Sequence, residues 1–312
     1  MKRKILIALC LVLTVILMAL GAAAGYIHHM LGKIQREEPV PATTASVPGE
    51  TAPPAQALPT ETEPAPTEPR DVTLNFLLIG QDEKIDEVRQ RSDVMILATV
   101  NPETAALTLT SLQRDMFVPI PGHGEQRLNA AFHLGGMQLL GETLQANFDL
   151  TVDGMVAVDF NGFSEIVDML GGVEITLTEA EAKELRLQPG AHTLNGKKAL
   201  EYARLRSIDS DFQRTNRQRT VLMALLEQHR DLSALDMHRV LSACLSLTST
   251  NLSDSQILNY AVELFPLLKR LTVTSGSVPL AGQYTEAVVA DREVLIPDIP
   301  KITQTLREIT QE

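Results

Sequence analysis

Between Arg204 and Arg219 the chain carries five arginines (Arg204, Arg206, Arg214, Arg217 and Arg219), two aspartates and no lysine, a local +3 in a protein of net charge −12. Guanidinium groups grip phosphate oxygens in a bidentate fork and keep their charge. That composition suits recognition of a diphosphate better than diffuse attraction of anions. Arg214, Arg217 and Gln218 are spaced to share one face of a helix. The same stripe continues to Val221, Leu222 and Leu225, which belong in a core, so the polar residues at its start should turn toward a pocket at the core's edge. A solvated basic helix end fits the same residues. Against it stands the acidity of the whole molecule, which makes a local concentration of arginine less incidental.

Two further groups sit where strands should end. Gly80-Gln81-Asp82 is followed by Arg89 and then by Arg91-Ser92-Asp93. Asp82 falls just past the carboxyl end of one expected strand and Asp93 just before the next, and strand-end loops are where α/β sheets usually bind ligands. Two carboxylates brought together there would suit Mg2+ (or Mn2+), which takes oxygen ligands and often completes its shell with substrate phosphate. A loop of solvated charges is the alternative. Arg114-Asp115 directly follows a third expected strand; an isolated pair of this kind is usually a surface ion pair of little weight, and its place at a strand end is what favours a functional reading.

The elements that must position these residues can be read from periodicity. Leu74 to Gly80 is a buried strand running into a glycine turn, Val94 to Val100 a second, and Ala106 to Thr110 a third. Apolar residues at Ala130, Leu134, Met137, Leu140 and Leu144 predict a helix over 129–148. Val156 to Phe160 is extended, Asn161 is placed to cap a helix running to Leu170, Gly171-Gly172 ends it, and Val173 to Thr176 is extended again. Helices follow over 195–203 and 211–228, with weaker helical patterns over 233–270, and residues 295–300 should pack on the core. Strands interleaved with helices predict an α/β domain around a mostly buried sheet.

The amino terminus has a different character. Met1-Lys2-Arg3-Lys4 places three positive charges before an uncharged run from Ile5 to Tyr26. As a helix, residues 5–26 would span about 33 Å, against a hydrocarbon core of about 30 Å. The expectation is a cytoplasmic tip (1–4), a single-pass transmembrane anchor (5–26) retained rather than cleaved at Ala22-Ala23-Ala24, and an extracellular remainder. Residues 27–71 hold nine of the seventeen prolines and little apolar pattern, which predicts an extended linker, with the folded domain at 72–312. The acidity argues against nucleic-acid binding. Cys10 lies in the apolar run and Cys244 stands alone, which disfavours a disulfide. Zinc-ligand spacing of histidines, a Walker lysine loop and a Gly-x-Ser-x-Gly elbow are all missing from the sequence.

Taken in order, several runs resemble the LytR–CpsA–Psr family. They begin with Phe76-Leu77-Leu78-Ile79-Gly80-Gln81-Asp82, Arg91-Ser92-Asp93, Ser111-Leu112-Gln113-Arg114-Asp115 and Arg127-Leu128-Asn129-Ala130-Ala131-Phe132. They continue through Asp159-Phe160-Asn161-Gly162-Phe163 and Leu170-Gly171-Gly172-Val173 to Ala199-Leu200-Glu201-Tyr202-Ala203-Arg204-Leu205-Arg206 and Asp211-Phe212-Gln213-Arg214-Thr215-Asn216-Arg217-Gln218. The set covers residues 74–228. The resemblance implies an α/β/α sandwich around a mixed central sheet, with an apolar pocket for a polyprenyl tail. It also implies transfer of a phosphate-linked glycopolymer, such as a teichoic acid or a capsular polysaccharide, from a polyprenyl diphosphate carrier to a peptidoglycan hydroxyl. By motif, Asp82 and Asp93 match the family's magnesium-associated carboxylates. Arg91, Arg114, Arg204, Arg206, Arg214 and Gln218 match its diphosphate-contacting positions, with Arg89 and Arg217 as further candidates; Arg114, Asp93 and Arg91 would carry the catalysis. Two departures stand out. Leu112-Gln113 replaces the usual Ile-Pro before Arg-Asp, and Phe132 replaces a tyrosine. A non-catalytic lipid-diphosphate or cell-wall sensor, or a polyprenyl-diphosphate hydrolase, would use the same groups. A transcriptional regulator would not suit an anchored, acidic, outward-facing domain.

Overall fold

A computed structural model describes residues 35–36, 73–82, 92–206, 208–231, 240 and 244–311. The expected anchor over 5–26, most of the expected linker, Arg89 and Arg91 lie outside the described residues.

The strands are β1 (Gln35–Arg36), β2 (Leu74–Gln81), β3 (Ser92–Asn101), β4 (Ala106–Leu112), β5 (Phe117–Ile120), β6 (Gly124–Arg127), β7 (Gly154–Asp159), β8 (Val173–Leu177), β9 (Gly190–Leu194), β10 (Thr248–Thr250), β11 (Thr272–Val278), β12 (Tyr284–Val289) and β13 (Arg292–Pro297). The helices are α1 (Asn129–Phe148), α2 (Phe160–Met169), α3 (Glu179–Leu185), α4 (Gly196–Ala203), α5 (Asp211–Gln228), α6 (Asp254–Leu264) and α7 (Ile299–Gln311). Seven strands form one mixed sheet in the order β1-β10-β7-β2-β3-β4-β11. Within it β2 runs parallel to β7 and antiparallel to β3, and β4 runs parallel to β11.

Alternation along the strands builds the layers. Leu77, Ile79, Met95 and Leu97 face a core closed by Phe132, Leu140 and Leu144 of α1 and by Ile302 and Leu306 of α7. Ile96, Ala98, Val100, Leu107 and Leu109 face the opposite way, onto Leu222, Met223 and Leu226 of α5 and onto Leu264, Leu267 and Leu271. The result is the α/β/α arrangement around a mixed sheet. A satellite cluster joins the β8–β9 hairpin to α2, α3 and α4. There α4 approaches α2 so closely that a Cβ on Gly196 would stand 2.0 Å from the carbonyl oxygen of Ser164, so only glycine fits.

Several expectations need correction. The helix over 129–148 is broken at Gly135 and Gly136, the latter at φ 66°. The cap of α2 is Asp159, whose carboxylate accepts from the Gly162 N–H at 2.7 Å; Asn161 lies inside the helix. The region read as weakly helical over 233–270 contributes the strand β10 as well as α6, and β10 is set by pairing with β7 rather than by its own pattern. Of the expected linker, Gln35–Arg36 pairs in parallel with β10 and so belongs to the sheet. In the tail, the expected packing of 295–300 is carried by Ile299 against the main core and by half-buried Leu295, which bridges to Met116, while Val294, one residue earlier, is more deeply buried.

Candidate active site

The carboxyl ends of β2, β4, β7 and β11 and the amino end of β3 all lie at one end of the sheet, where Gln81 pairs with both Ser92 and Asp159. Asp82, Asp93 and Arg114 project from that end, and the first turns of α5 cover it. Arg219 of α5 donates to Ser111 Oγ of β4 at 2.6 Å, which fixes the helix over the strand ends. This is where an α/β sheet presents a ligand site.

Arg114 is the centre of the cluster. Its Nη1 donates to Asp93 Oδ1 at 2.5 Å, its Nε lies 3.4 Å from Asp115 Oδ2, and its Nη2 lies 3.6 Å from Asp211 Oδ1. Burial opposes its charge, but Asp115, Asp93 and Asp211 outweigh that and hold the guanidinium above the usual arginine range. Arg214 stands behind it, 2% exposed, with Nη1 2.6 Å from Asp211 Oδ1 and Nη2 donating to Asp211 Oδ2 at 2.7 Å. Burial and repulsion from Arg114 bring its pKa down to about 10, with Arg206 adding to the repulsion and Asp211 opposing it. Arg114, Arg206, Arg214, Asp93 and Asp211 therefore form one electrostatic unit drawn from three separate segments.

The loop that carries Arg114 is held by its backbone. Gln113 N–H donates to Val278 O at 2.9 Å, Asn129 N–H to Arg114 O at 3.2 Å, and Leu295 N–H to Asp115 O at 2.9 Å. Gln113 is itself buried and donates through Nε2 to Thr215 Oγ1 at 3.2 Å, tying the loop to α5. The proline expected at this position could make neither bond. The departure thus replaces ring stiffness with two cross-links. Arg127 donates to Asp115 Oδ1 at 2.8 Å, so a second guanidinium steadies the carboxylate beside Arg114.

The remaining residues singled out in the sequence divide. Arg204 and Asp82 join the site's open side: both are half-exposed, they meet at 3.9 Å, and the Arg204 guanidinium lies 4.3 Å from the centroid of the Phe160 ring. Arg217 points elsewhere. It is 4% exposed, donates twice to Asp209 at 2.7 and 2.8 Å and once to Leu205 O at 2.7 Å, and lies 3.8 Å from Glu181. Its guanidinium braces the loop before α5. Gln218 is buried beside it, donating weakly to Ala203 O at 3.4 Å. Sequence reasoning placed no role on Asp211, Arg127 or Phe160. Asp211 opens the very helix whose arginine stripe was legible, and Arg127 begins one of the runs that resemble the family, where nothing in the residue type pointed to Asp115.

No group of three or more His, Cys, Asp or Glu residues among the described residues could hold a metal by itself. Asp82, one residue past β2, and Asp93 of the adjacent β3 are hard oxygen donors, and Asp93 commits only Oδ1 to Arg114. That set fits Mg2+ or Mn2+ only if ligand phosphate and water complete the shell, which is how Mg2+ is commonly held at phosphate sites.

Comparisons with known proteins agree with this geometry. The sequence profile of the LytR_cpsA_psr family matches residues 42–308. The polyisoprenyl-teichoic acid–peptidoglycan teichoic acid transferase TagT of Bacillus subtilis is 32% identical over 230 residues, covering 69% of this chain and 70% of that protein. Among solved structures, TagT bound to LIIa-WTA superposes with a TM-score of 0.63 at 29% identity, over 78% of this chain and 90% of that one. A LytR-CPS2A-psr family protein, YwtF (TagT), with bound octaprenyl pyrophosphate lipid gives a TM-score of 0.60 at 26% identity, over 78% and 92%. With the profile match spanning most of its length and the strand-end arginine cluster in place, the chain belongs to the LytR–CpsA–Psr family.

Proposed function

We propose that this chain is a membrane-anchored phosphotransferase that moves a phosphate-linked glycopolymer from a polyprenyl diphosphate carrier to a hydroxyl of peptidoglycan. One observation carries the reading. Arg114 and Arg214, with Asp93 and Asp211 between them, meet at the carboxyl ends of the strands, with Arg204 and Arg206 on the open side. Relatives named for teichoic acid transfer and a related structure holding a polyprenyl pyrophosphate give that cluster its substrate class.

In this reading Arg204 and Arg206, the exposed cations, meet the diphosphate first. Arg114 then bears on the reacting phosphoryl group, and Arg214 adds fixed positive potential from behind. A preorganised guanidinium stabilises charge that grows on the leaving lipid phosphate without reorganising at the moment of reaction. The acceptor oxygen bonds to the phosphorus nearest the glycan while the bond from that phosphorus to the bridging oxygen breaks. A phosphodiester forms and polyprenyl monophosphate leaves. The hydroxyl proton ends on the lipid phosphate or in water. Asp82 and Asp93 would hold Mg2+ or Mn2+, which supplies Lewis-acid stabilisation of phosphate oxygens when bound. Asp93 is already committed to Arg114, so it serves better as an orienting anion than as a base. Residues 5–26 would anchor the chain with its folded domain outside the cell.

The test is to incubate the full chain in detergent with a polyprenyl diphosphate-linked glycan and peptidoglycan, with and without Mg2+, and to measure polyprenyl monophosphate and glycan attached to the wall. Arg114→Ala should lower turnover by roughly 100-fold or more, the usual effect of removing one transition-state donor. Binding of the lipid without release of monophosphate would make the protein a sensor. Release without attachment would make it a hydrolase.

A further inference from the structure

Phe160 is an aromatic side chain that the core does not use. It is half-buried, and among the described residues it belongs to none of the three apolar clusters, whereas Phe163, one turn later, packs against the satellite cluster. Its ring lies instead beneath Arg204, whose guanidinium carbon stands 4.3 Å from the ring centroid. At that distance the negative face of the π system attracts a cation.

The two residues are brought together by helices fixed on each other. Phe160 directly follows Asp159, which pairs with Gln81 at the site end of the sheet and caps α2 by accepting from the Gly162 N–H at 2.7 Å. Arg204 is the C-cap of α4, its N–H bonded to Leu200 O at 3.1 Å. Farther along α2, Ser164 meets Gly196, the first residue of α4, in the close approach described above, and Asp168 Oδ1 accepts from the Gly196 N–H at 2.7 Å. Helix α4 therefore runs back along α2 and delivers its last turn onto the Phe160 ring.

Arg204 has a second neighbour, Asp82, at 3.9 Å from Nη2, and the two contacts differ in what they leave free. All guanidinium N–H groups lie in one plane, and phosphate is gripped through them. The carboxylate lies against a donor nitrogen; the ring meets the central carbon and occupies no donor. An ion pair between half-exposed groups also holds its geometry weakly, and Asp82 is one of the two carboxylates suited to a divalent cation. The ring has no such competing ligand. We infer that Phe160 is a positioning residue for the donor diphosphate: its ring holds the Arg204 guanidinium at the open side of the site with its N–H groups free to fork onto phosphate. An arginine so held has lost part of its rotamer freedom before the ligand arrives, which lowers the cost of binding. The inference rests on the transferase reading above, in which Arg204 meets the diphosphate first.

The test is calorimetric titration of the full chain in detergent with pyrophosphate and Mg2+, alongside donor KM and kcat with a polyprenyl diphosphate-linked glycan. Phe160→Leu keeps an apolar side chain without a ring and should weaken pyrophosphate binding roughly two- to fivefold, the range for a partly exposed cation–π contact. Donor KM should rise by the same factor with kcat little changed, the pattern of lost ground-state binding. Phe160→Tyr and Phe160→Trp keep a π face and should bind close to the unsubstituted chain. The sequence contains no tryptophan, so Phe160→Trp supplies a single fluorophore. Its emission should change on adding pyrophosphate, and that change should vanish when Arg204→Ala is added. In an Arg204→Ala background, Phe160→Leu should have no further effect on binding. Thermal unfolding checks the fold, and Phe160→Met repeats the measurement if Phe160→Leu unfolds. Unchanged affinity in Phe160→Leu, an equal loss in both aromatic variants, or a loss that persists without Arg204 overturns the positioning role and leaves the transferase reading standing. Failure of the unsubstituted chain to bind pyrophosphate overturns both.

Discussion

Replacing Arg217 by alanine separates scaffold from site. Its arginine stripe puts it beside Arg214, yet in the structure its guanidinium is bound twice by Asp209 and once by the Leu205 carbonyl, with Glu181 at 3.8 Å. Charge-assisted bonds of this kind contribute about 1.5–3 kcal/mol each when fully enclosed. Asp209 is partly hydrated, so its two bonds together contribute less than that sum suggests. The nearly buried Glu181 would in addition lose its cation, which makes the truncation worse than a surface deletion. A net loss of about 2–4 kcal/mol follows, or a fall in Tm of roughly 5–12 °C for a domain of this size. Arg204→Ala, at a half-exposed position, should leave Tm unchanged and weaken pyrophosphate binding instead. Thermal unfolding by circular dichroism and calorimetric titration with pyrophosphate read the two effects apart. The pH dependence adds a check. Hydrogen bonds from Arg217 hold the Asp209 carboxyl below the usual carboxylate range. A depressed folded pKa stabilises above the unfolded value and loses that contribution as pH falls through the folded one. The Tm gap between the unsubstituted chain and Arg217→Ala should therefore be full at neutral pH and narrow below about pH 4. A Tm fall of less than 2 °C accompanied by lost pyrophosphate affinity would refute the reasoning and return Arg217 to the ligand.

Three further outcomes follow from particular contacts. Gln113→Pro removes the N–H donated to Val278 and the amide donated to Thr215, and should cost about 1–3 kcal/mol in urea unfolding. Gly196→Ala should destabilise by at least about 1–3 kcal/mol, because its Cβ would meet the Ser164 backbone at 2.0 Å; thermal unfolding would measure it. Pyrophosphate affinity should weaken as pH rises through about 10, where Arg214 loses its proton; Arg206→Ala, by removing one source of repulsion, should move that fall upward in a titration series.

Much of this was legible in residue spacing because the central strands are buried on both faces and the long helices are amphipathic. β2, β3 and β4 announced themselves as apolar runs, and the stripe from Arg214 to Val221 on α5 showed which side of that helix turns inward. β10 and β11 did not. Thr248–Thr250 is three residues long, and Thr272–Val278 is an edge strand of small polar residues, so both are defined by their neighbours rather than by their own period. The site was half-readable for a similar reason. Spacing revealed that Arg214 and Arg217 share a face, but a shared face spans enough arc for one guanidinium to reach Asp211 and the other Asp209. Asp211 and Arg127 stood in the runs that carry the family resemblance but drew no role, since an acidic residue opening a helix and a basic residue before one are commonplace on any surface.

The short strand β1 has a bearing on where chemistry can happen. It runs parallel to β10, which is antiparallel to β7, so Gln35, where β1 begins, is the end of that strand nearer Asp159, Asp82 and Arg114. For an anchor at 5–26, as proposed, only residues 27–34 separate bilayer from domain, a reach of at most about 29 Å fully extended. Under the proposed anchor, so short a tether would hold that end of the sheet near the headgroup layer, where a carrier lipid could present its diphosphate without leaving the leaflet.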